Sequence, residues 1–181
     1  MPIEIEKKYR LTRKQREEVL RRLLGIGAKR RGEEFEVNTV YAGETLNVGR
    51  SVLRLRRVGK RGILTYKERY PTRSGIKHQR EDETRVDDPE AMDLILETLG
   101  FTAALVYEKR RETWSLGKTV IVVDELPFGL FMEIEGTEQG IRDVESKLAI
   151  KRLRTEMATY PQLTLKHGTD CGGVIEARFD E

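Results

Sequence analysis

The sequence predicts an α+β domain of about eight antiparallel strands with three or four helices set among them. Three observations carry this. Segments that alternate with period two outnumber segments with helical spacing. Successive strands are joined by short turns, which favours antiparallel pairing. Charge falls on one side of strand after strand, as it would in a sheet closed around a charged interior.

At 181 residues the chain suits one domain with a substantial core. Charged residues make up 36% of it, above the roughly 25% usual for globular domains. The 34 basic and 31 acidic residues are interleaved and leave a net charge of only +3, which excludes a simple polycationic tail. A lone cysteine, Cys171, excludes an internal disulfide framework. No apolar run approaches the ~18 residues of a membrane helix, and the N-terminus lacks the apolar core of a signal peptide, so a soluble cytoplasmic protein is expected.

The first ten residues, MPIEIEKKYR, anchor the reading. In a strand they put Glu4, Glu6 and Lys8 on one face and Ile3, Ile5, Lys7 and Tyr9 on the other. Unpaired buried charges cost several kcal/mol each, so the charged face must meet solvent, partner charges or a ligand. Thr12 and Gln15 then form a capping-box pattern, and Val19, Leu20, Leu23 and Leu24 predict a helix over about 13–24. Residues 28–41 read as a second strand.

Residues 51–58, SVLRLRRV, place Arg54 and Arg56 on one face with Val52. After a GKRG turn, residues 63–70 place Thr65, Lys67 and Arg69 on one face, completing a hairpin. Residues 77–87 are polar on both faces, with Lys77, Gln79, Glu81, Glu83 and Arg85 opposite His78, Arg80, Asp82, Thr84 and Val86. Pattern alone leaves open which face of this strand points inward. Asp88-Pro89 starts a second helix with the stripe Met92, Ile95, Leu96 and Leu99. Strands follow over 101–114, 118–126 and 130–136, the last with Phe131, Glu133 and Glu135 on one face. A third helix is predicted over 138–148 and a short fourth over Thr155 to Pro161. The division is a domain over 1–165 and, with Gly168, Gly172 and Gly173, a frayed tail over 166–181.

The one-sided charges are Glu4, Glu6, Glu81, Glu83, Asp124, Glu133 and Glu135 with Lys8, Arg54, Arg56, Lys67, Lys109 and Arg111. They come from every long strand except the second. Clustered Lys and Arg suit phosphate oxygens, and clustered carboxylates suit Mg²⁺ or Mn²⁺. Acids alone would repel a phosphate chain, since like charges 4 Å apart interact by about 4 kcal/mol at an effective dielectric of 20. A divalent ion between them reverses the sign, so the mixed rows point to a metal–polyphosphate complex.

These residues carry a family resemblance. Glu4-Ile5-Glu6-Lys7-Lys8 resembles the ExExK signature of the CYTH superfamily, the triphosphate tunnel metalloenzymes. The likeness continues through LRLR with Arg54 and Arg56, LTYK with Lys67, QREDE with Glu81 and Glu83, EKRR with Lys109 and Arg111, and VVDELPFGLFMEIEG. The resemblance implies an eight-stranded antiparallel closed β-barrel, with Glu4, Glu6 and Lys8 as the catalytic set. It further implies phosphate contacts from Lys8, Arg54, Arg56, Lys67, Lys109 and Arg111. Glu4, Glu6, Asp124, Glu133 and Glu135 would surround the metal, with Glu81 and Glu83 on the metal side or positioning. Two positions depart from the family pattern: Glu156 precedes Thr159-Tyr160 where a basic residue is common, and Asn38 stands where many members have Asp.

The function expected is metal-dependent hydrolysis of inorganic tripolyphosphate, thiamine triphosphate or a nucleoside triphosphate. The alternatives are a class IV-type adenylyl cyclase and a non-catalytic polyphosphate- or RNA-binding module. With 7% aromatics, few of them on charged faces, RNA is disfavoured. A homodimer is suggested by family analogy alone. Arg57, Arg69, Arg80 and Arg110 are read as exterior, and His78 as a surface residue. Gly117-Lys118-Thr119 is read as a hairpin turn rather than the end of a P-loop, because Glu112 stands where the first glycine belongs.

Overall fold

The computed structural model describes residues 3–47, 49–70, 76–150 and 152–180. Its strands are β1 (Ile3–Leu11), β2 (Lys29–Ala42), β3 (Ser51–Val58), β4 (Arg61–Arg69), β5 (Lys77–Val86), β6 (Thr102–Leu116), β7 (Thr119–Leu126), β8 (Gly129–Glu135), β9 (Arg154–Thr155), β10 (Thr169–Cys171) and β11 (Val174–Ala177). The helices are α1 (Arg13–Gly25), α2 (Pro89–Thr98), α3 (Glu138–Leu148) and α4 (Tyr160–His167). Eight strands pair antiparallel in the order β6-β2-β3-β4-β5-β1-β8-β7, and β7 returns to β6, closing a barrel.

The apolar surface lies mostly outside this barrel. Val19 and Leu23 of α1 and Ile141, Val144 and Leu148 of α3 pack with Tyr9, Trp114, Ile121, Val123, Met132 and Ile134 from the outer faces of the strands. Leu96 of α2 covers Tyr41, Leu53, Leu55 and Val86 in the same way. A third cluster, with Val40, Tyr107, Phe131, Tyr160 and Leu163, plugs one end of the barrel. With helices supplying cover, the inner faces of the strands are free to carry charge.

The first three helices start where their caps predict. Thr12 and Gln15 exchange hydrogen bonds in a capping box, and the side chains of Asp88 and Thr137 accept from Ala91 N and Gly140 N. The fourth corrects the sequence reading, which ended a helix at Pro161. Thr159 is its N-cap, in a box with Gln162, and Pro161 sits in its first turn, so α4 begins where the expected helix stopped. Thr155, expected to start it, pairs instead with Tyr9 of β1, as Arg154 before it pairs with Arg10.

The frayed tail is also corrected. β10 and β11 form a hairpin, and Ile175 to Ala177 run parallel to Leu105 to Tyr107 of β6. The glycines that suggested fraying make the hairpin turn, with φ of +70° at Gly172 and +93° at Gly173. Between β6 and β7, Gly117 has φ +60° in a tight turn with no helix after it, so the P-loop-like tripeptide is a hairpin. No helix among the described residues is long and apolar enough to cross a membrane.

Candidate active site

Register fixes which side chains meet inside the barrel. Glu4 lies opposite Gln79 and Glu6 opposite Lys77 between β1 and β5. Lys67 lies opposite Glu81 and Thr65 opposite Glu83 between β4 and β5. The face of β5 that pattern left open is thereby decided: Lys77, Gln79, Glu81 and Glu83 point inward. Together these strands enclose a cavity of about 550 Å³. Every sequence-named candidate lines it except Asp124, which is fully buried beneath the wall.

Two regions differ in how their charge is matched. In the first, Arg111 grips both oxygens of Asp124 at 2.8 and 2.6 Å and reaches Glu133 at 2.9 Å. Lys109 Nζ, 1% exposed, sits 3.1 Å from Glu36 and 3.6 Å from Asp124. Lys8 Nζ contacts Glu133 at 3.2 Å, donates to Ala158 O, and lies 3.7 Å from the centre of the Tyr160 ring. Tyr160 donates its hydroxyl proton to Asp124 at 2.7 Å. Asp124 and Glu133, expected around the metal, are thus engaged by cations.

Burial opposes ionisation of Glu36 and Glu133, yet the surrounding cations hold both well below the usual carboxylate range. For Glu36 these are Lys109, Arg111, Arg56 and Arg54; for Glu133 they are led by Lys8 and Arg111. Lys109 moves the other way. Burial first, then the charge of Arg111, pushes it down to about 8, against the pull of Asp124 and Glu36.

The second region is rich in acid. Lys67 Nζ is shared between Glu4 at 2.8 Å and Glu81 at 2.9 Å, and Gln79 donates to Glu4. Burial and the neighbouring Glu81 carboxyl raise Glu4, while Glu81, despite its own burial, is held down by Glu4 and Lys67. Burial, then the charge of Glu4, pushes Glu135 up to about 7. Arg56 bridges the regions, 3.7 Å from Glu36 and 3.5 Å from Glu83.

Sequence reasoning missed Glu36, the fully buried acid that faces Lys109, Arg56 and Arg111. Its neighbour Asn38 donates to it at 3.2 Å, and Asn38 Oδ1 is buried with no hydrogen-bond partner among the described residues. Lys77 and Gln79 are also inward and buried. Arg69, read as exterior, lines the cavity. The other exterior readings agree with the structure: Arg57 pairs with Asp93, Arg80 with Asp82 and Arg110 with Glu125, and His78 lies near Glu138. Glu156, at the position that departs from the family pattern, reaches Arg10 at 3.6 Å.

The ExExK carboxylates thus face a charged lumen in a closed eight-stranded barrel, and the CYTH domain model matches residues 2–166. The chain belongs to the CYTH family. PH1012 from Pyrococcus horikoshii is 29% identical, with TM-score 0.75 over 87% of this chain and 96% of its own. A conserved hypothetical protein from Pyrococcus furiosus is 22% identical, with TM-score 0.76 over 87% of this chain and 97% of its own. HpAC1 from Hippeastrum, whose description gives a dominant triphosphatase activity, is 20% identical, with TM-score 0.69 over 90% of this chain and 95% of its own. No curated protein matches this CYTH chain.

Proposed function

We propose that this CYTH protein is a divalent-metal-dependent triphosphatase whose preferred substrate is a linear inorganic triphosphate. The observation that carries the reading is the division of one cavity into a wall of buried Lys and Arg and a wall of crowded carboxylates. The first wall suits phosphate oxygens. Arg54, Arg56, Lys109, Arg111 and Lys8 line it from three strands, with Lys67 reaching in from the acid wall, so a bound anion is held from several sides. The triphosphatase activity described for HpAC1 on the same fold agrees with this chemistry.

The carboxylate wall fits Mg²⁺ or Mn²⁺ by its donor chemistry. Among the described residues no three acids already converge as a metal cage. Mg²⁺ commonly binds through one or two carboxylates plus substrate phosphates and keeps several waters, which needs no such cage. Glu4 and Glu81, held side by side by Lys67, are the groups that would hold the ion, with Glu6 beside them. When bound, the ion supplies neutralisation of phosphate charge and a more acidic water. The protein's own part is to align the chain. Arg54 and Arg56 hold phosphate oxygens from β3, Lys109 and Arg111 from β6, and Lys8 beneath. Glu135, pushed up to about 7, is placed to take a proton from attacking water.

The inorganic chain is favoured over a nucleotide because the aromatic rings at the cavity are occupied. Tyr107 and Tyr160 are 1% and 5% exposed, and the Tyr160 ring already lies beneath Lys8. Incubating the protein with tripolyphosphate, thiamine triphosphate or ATP, each with Mg²⁺ or Mn²⁺, tests the proposal. The highest kcat/KM is expected for tripolyphosphate, with orthophosphate as product. Cyclic AMP with pyrophosphate would assign a cyclase, and binding without turnover a binding module.

A further inference from the structure

Beyond the two regions, the cavity has a third source of charge at the rim where β4 ends and β5 begins. Arg69 is the last residue of β4 and Lys77 the first of β5. Val52, from the start of β3 at this rim, packs against the cluster that contains Tyr160 of α4. Arg69 shares an inward face with Lys67, two residues along the strand and so about 6.8 Å farther on. The cation row that begins at Arg54 and Lys67 therefore continues one pleat toward α4.

The charge at this rim is not balanced. Glu6 is the acid whose field acts on Arg69, and Glu6 Oε1 already holds Lys77 Nζ at 3.2 Å. Lys77 also feels Glu133, whereas Glu6 is the acid that acts on Arg69, and Lys77 already occupies it. Burial lowers the pKa of both cations, the sign of charged forms poorly served by their surroundings. Arg69 Nη2 is buried with no hydrogen-bond partner among the described residues, although the residue lines the cavity. A buried donor without an acceptor is costly, and an anionic oxygen entering the cavity would supply one.

We propose that Arg69 binds the phosphate at the α4 end of a linear polyphosphate and so sets the preferred chain length, favouring three or more phosphates over two. The inference rests on the triphosphate reading above and adds to it a residue and a selectivity. Lys77, by holding Glu6, keeps that carboxylate from neutralising Arg69. Arg69 is then the contact that pyrophosphate, seated between Arg54, Arg111 and Lys109, is too short to reach.

The test is titration calorimetry with pyrophosphate, tripolyphosphate and tetrapolyphosphate in chelator-treated buffer, where turnover does not interfere. Wild-type protein, Arg69→Gln and Arg69→Lys are compared. The Arg69→Gln variant is expected to lower tripolyphosphate affinity roughly ten- to a hundredfold relative to pyrophosphate, the range of a lost charged hydrogen bond. Arg69→Lys, which keeps the charge, is expected to recover part of that ratio, which a folding defect would not do. An equal loss for both ligands, or no loss, overturns the role of Arg69 and leaves the triphosphatase reading standing. Failure of the wild-type protein to bind tripolyphosphate both in this buffer and with added Mg²⁺ overturns both.

Discussion

Glu36 shows at the scale of one residue how this interior is held together. Its carboxylate is fully buried and meets Lys109, Arg56 and Arg111, so it acts as the internal counter-ion of the cation wall. Removing one member of a buried ionic network costs about 3–5 kcal/mol, because the partners stay buried without compensation. Glu36→Gln is therefore expected to lower stability by about 3 kcal/mol in chemical denaturation, and added tripolyphosphate is expected to restore part of it by replacing the lost charge. Lys109 gives a pH signature. Its pKa near 8 means that its charge is lost as pH rises through 8, so triphosphate affinity should fall above that value. Calorimetric titrations from pH 7 to 9.5 should show the inflection, and Lys109→Arg should remove it, since guanidinium stays charged across the range.

Among the elements, α4 decides the shape of one cavity end. Its capping box fixes Thr159 at the N-terminus, which seats Tyr160 against Asp124 and beneath Lys8. Thr159→Ala is expected to cost about 1 kcal/mol of stability and to raise KM for the triphosphate more than it lowers kcat, measured by thermal unfolding and steady-state kinetics. Legibility in the sequence differed between elements for physical reasons. β1, β3 and β4 were readable because lumen charges alternate there with outward apolar groups such as Ile5, Leu53, Leu55 and Leu64. In β2, Glu33, Glu34 and Glu36 crowd the segment around Phe35, so the one acid that turns inward has no pattern to mark it. Arg69 stood at a strand end, where alternation gives no second neighbour to confirm a face. The C-terminal hairpin was hidden because glycine signals a tight turn and a loose tail alike, and only pairing with β6 separates them.

Over the whole molecule, the fold inverts the usual placement of charge. Three apolar clusters are formed by helices on the outer faces and by the plug at one end, and the barrel interior is left to Lys, Arg and Glu. Such an interior is stable only when its charges are matched, and the matching is incomplete at two places: the crowded acids Glu4 and Glu135, which burial pushes toward the protonated form, and Arg69 at the α4 rim. A ligand that carries both divalent cation and phosphate would complete both. The most direct measurement is phosphorus NMR of tripolyphosphate incubated with the protein and Mg²⁺ or Mn²⁺, repeated with excess chelator and with Glu4→Gln. Orthophosphate release is expected that chelation abolishes and that Glu4→Gln lowers by at least about a hundredfold. Release that persists in chelator, or that survives Glu4→Gln unchanged, would contradict this proposal.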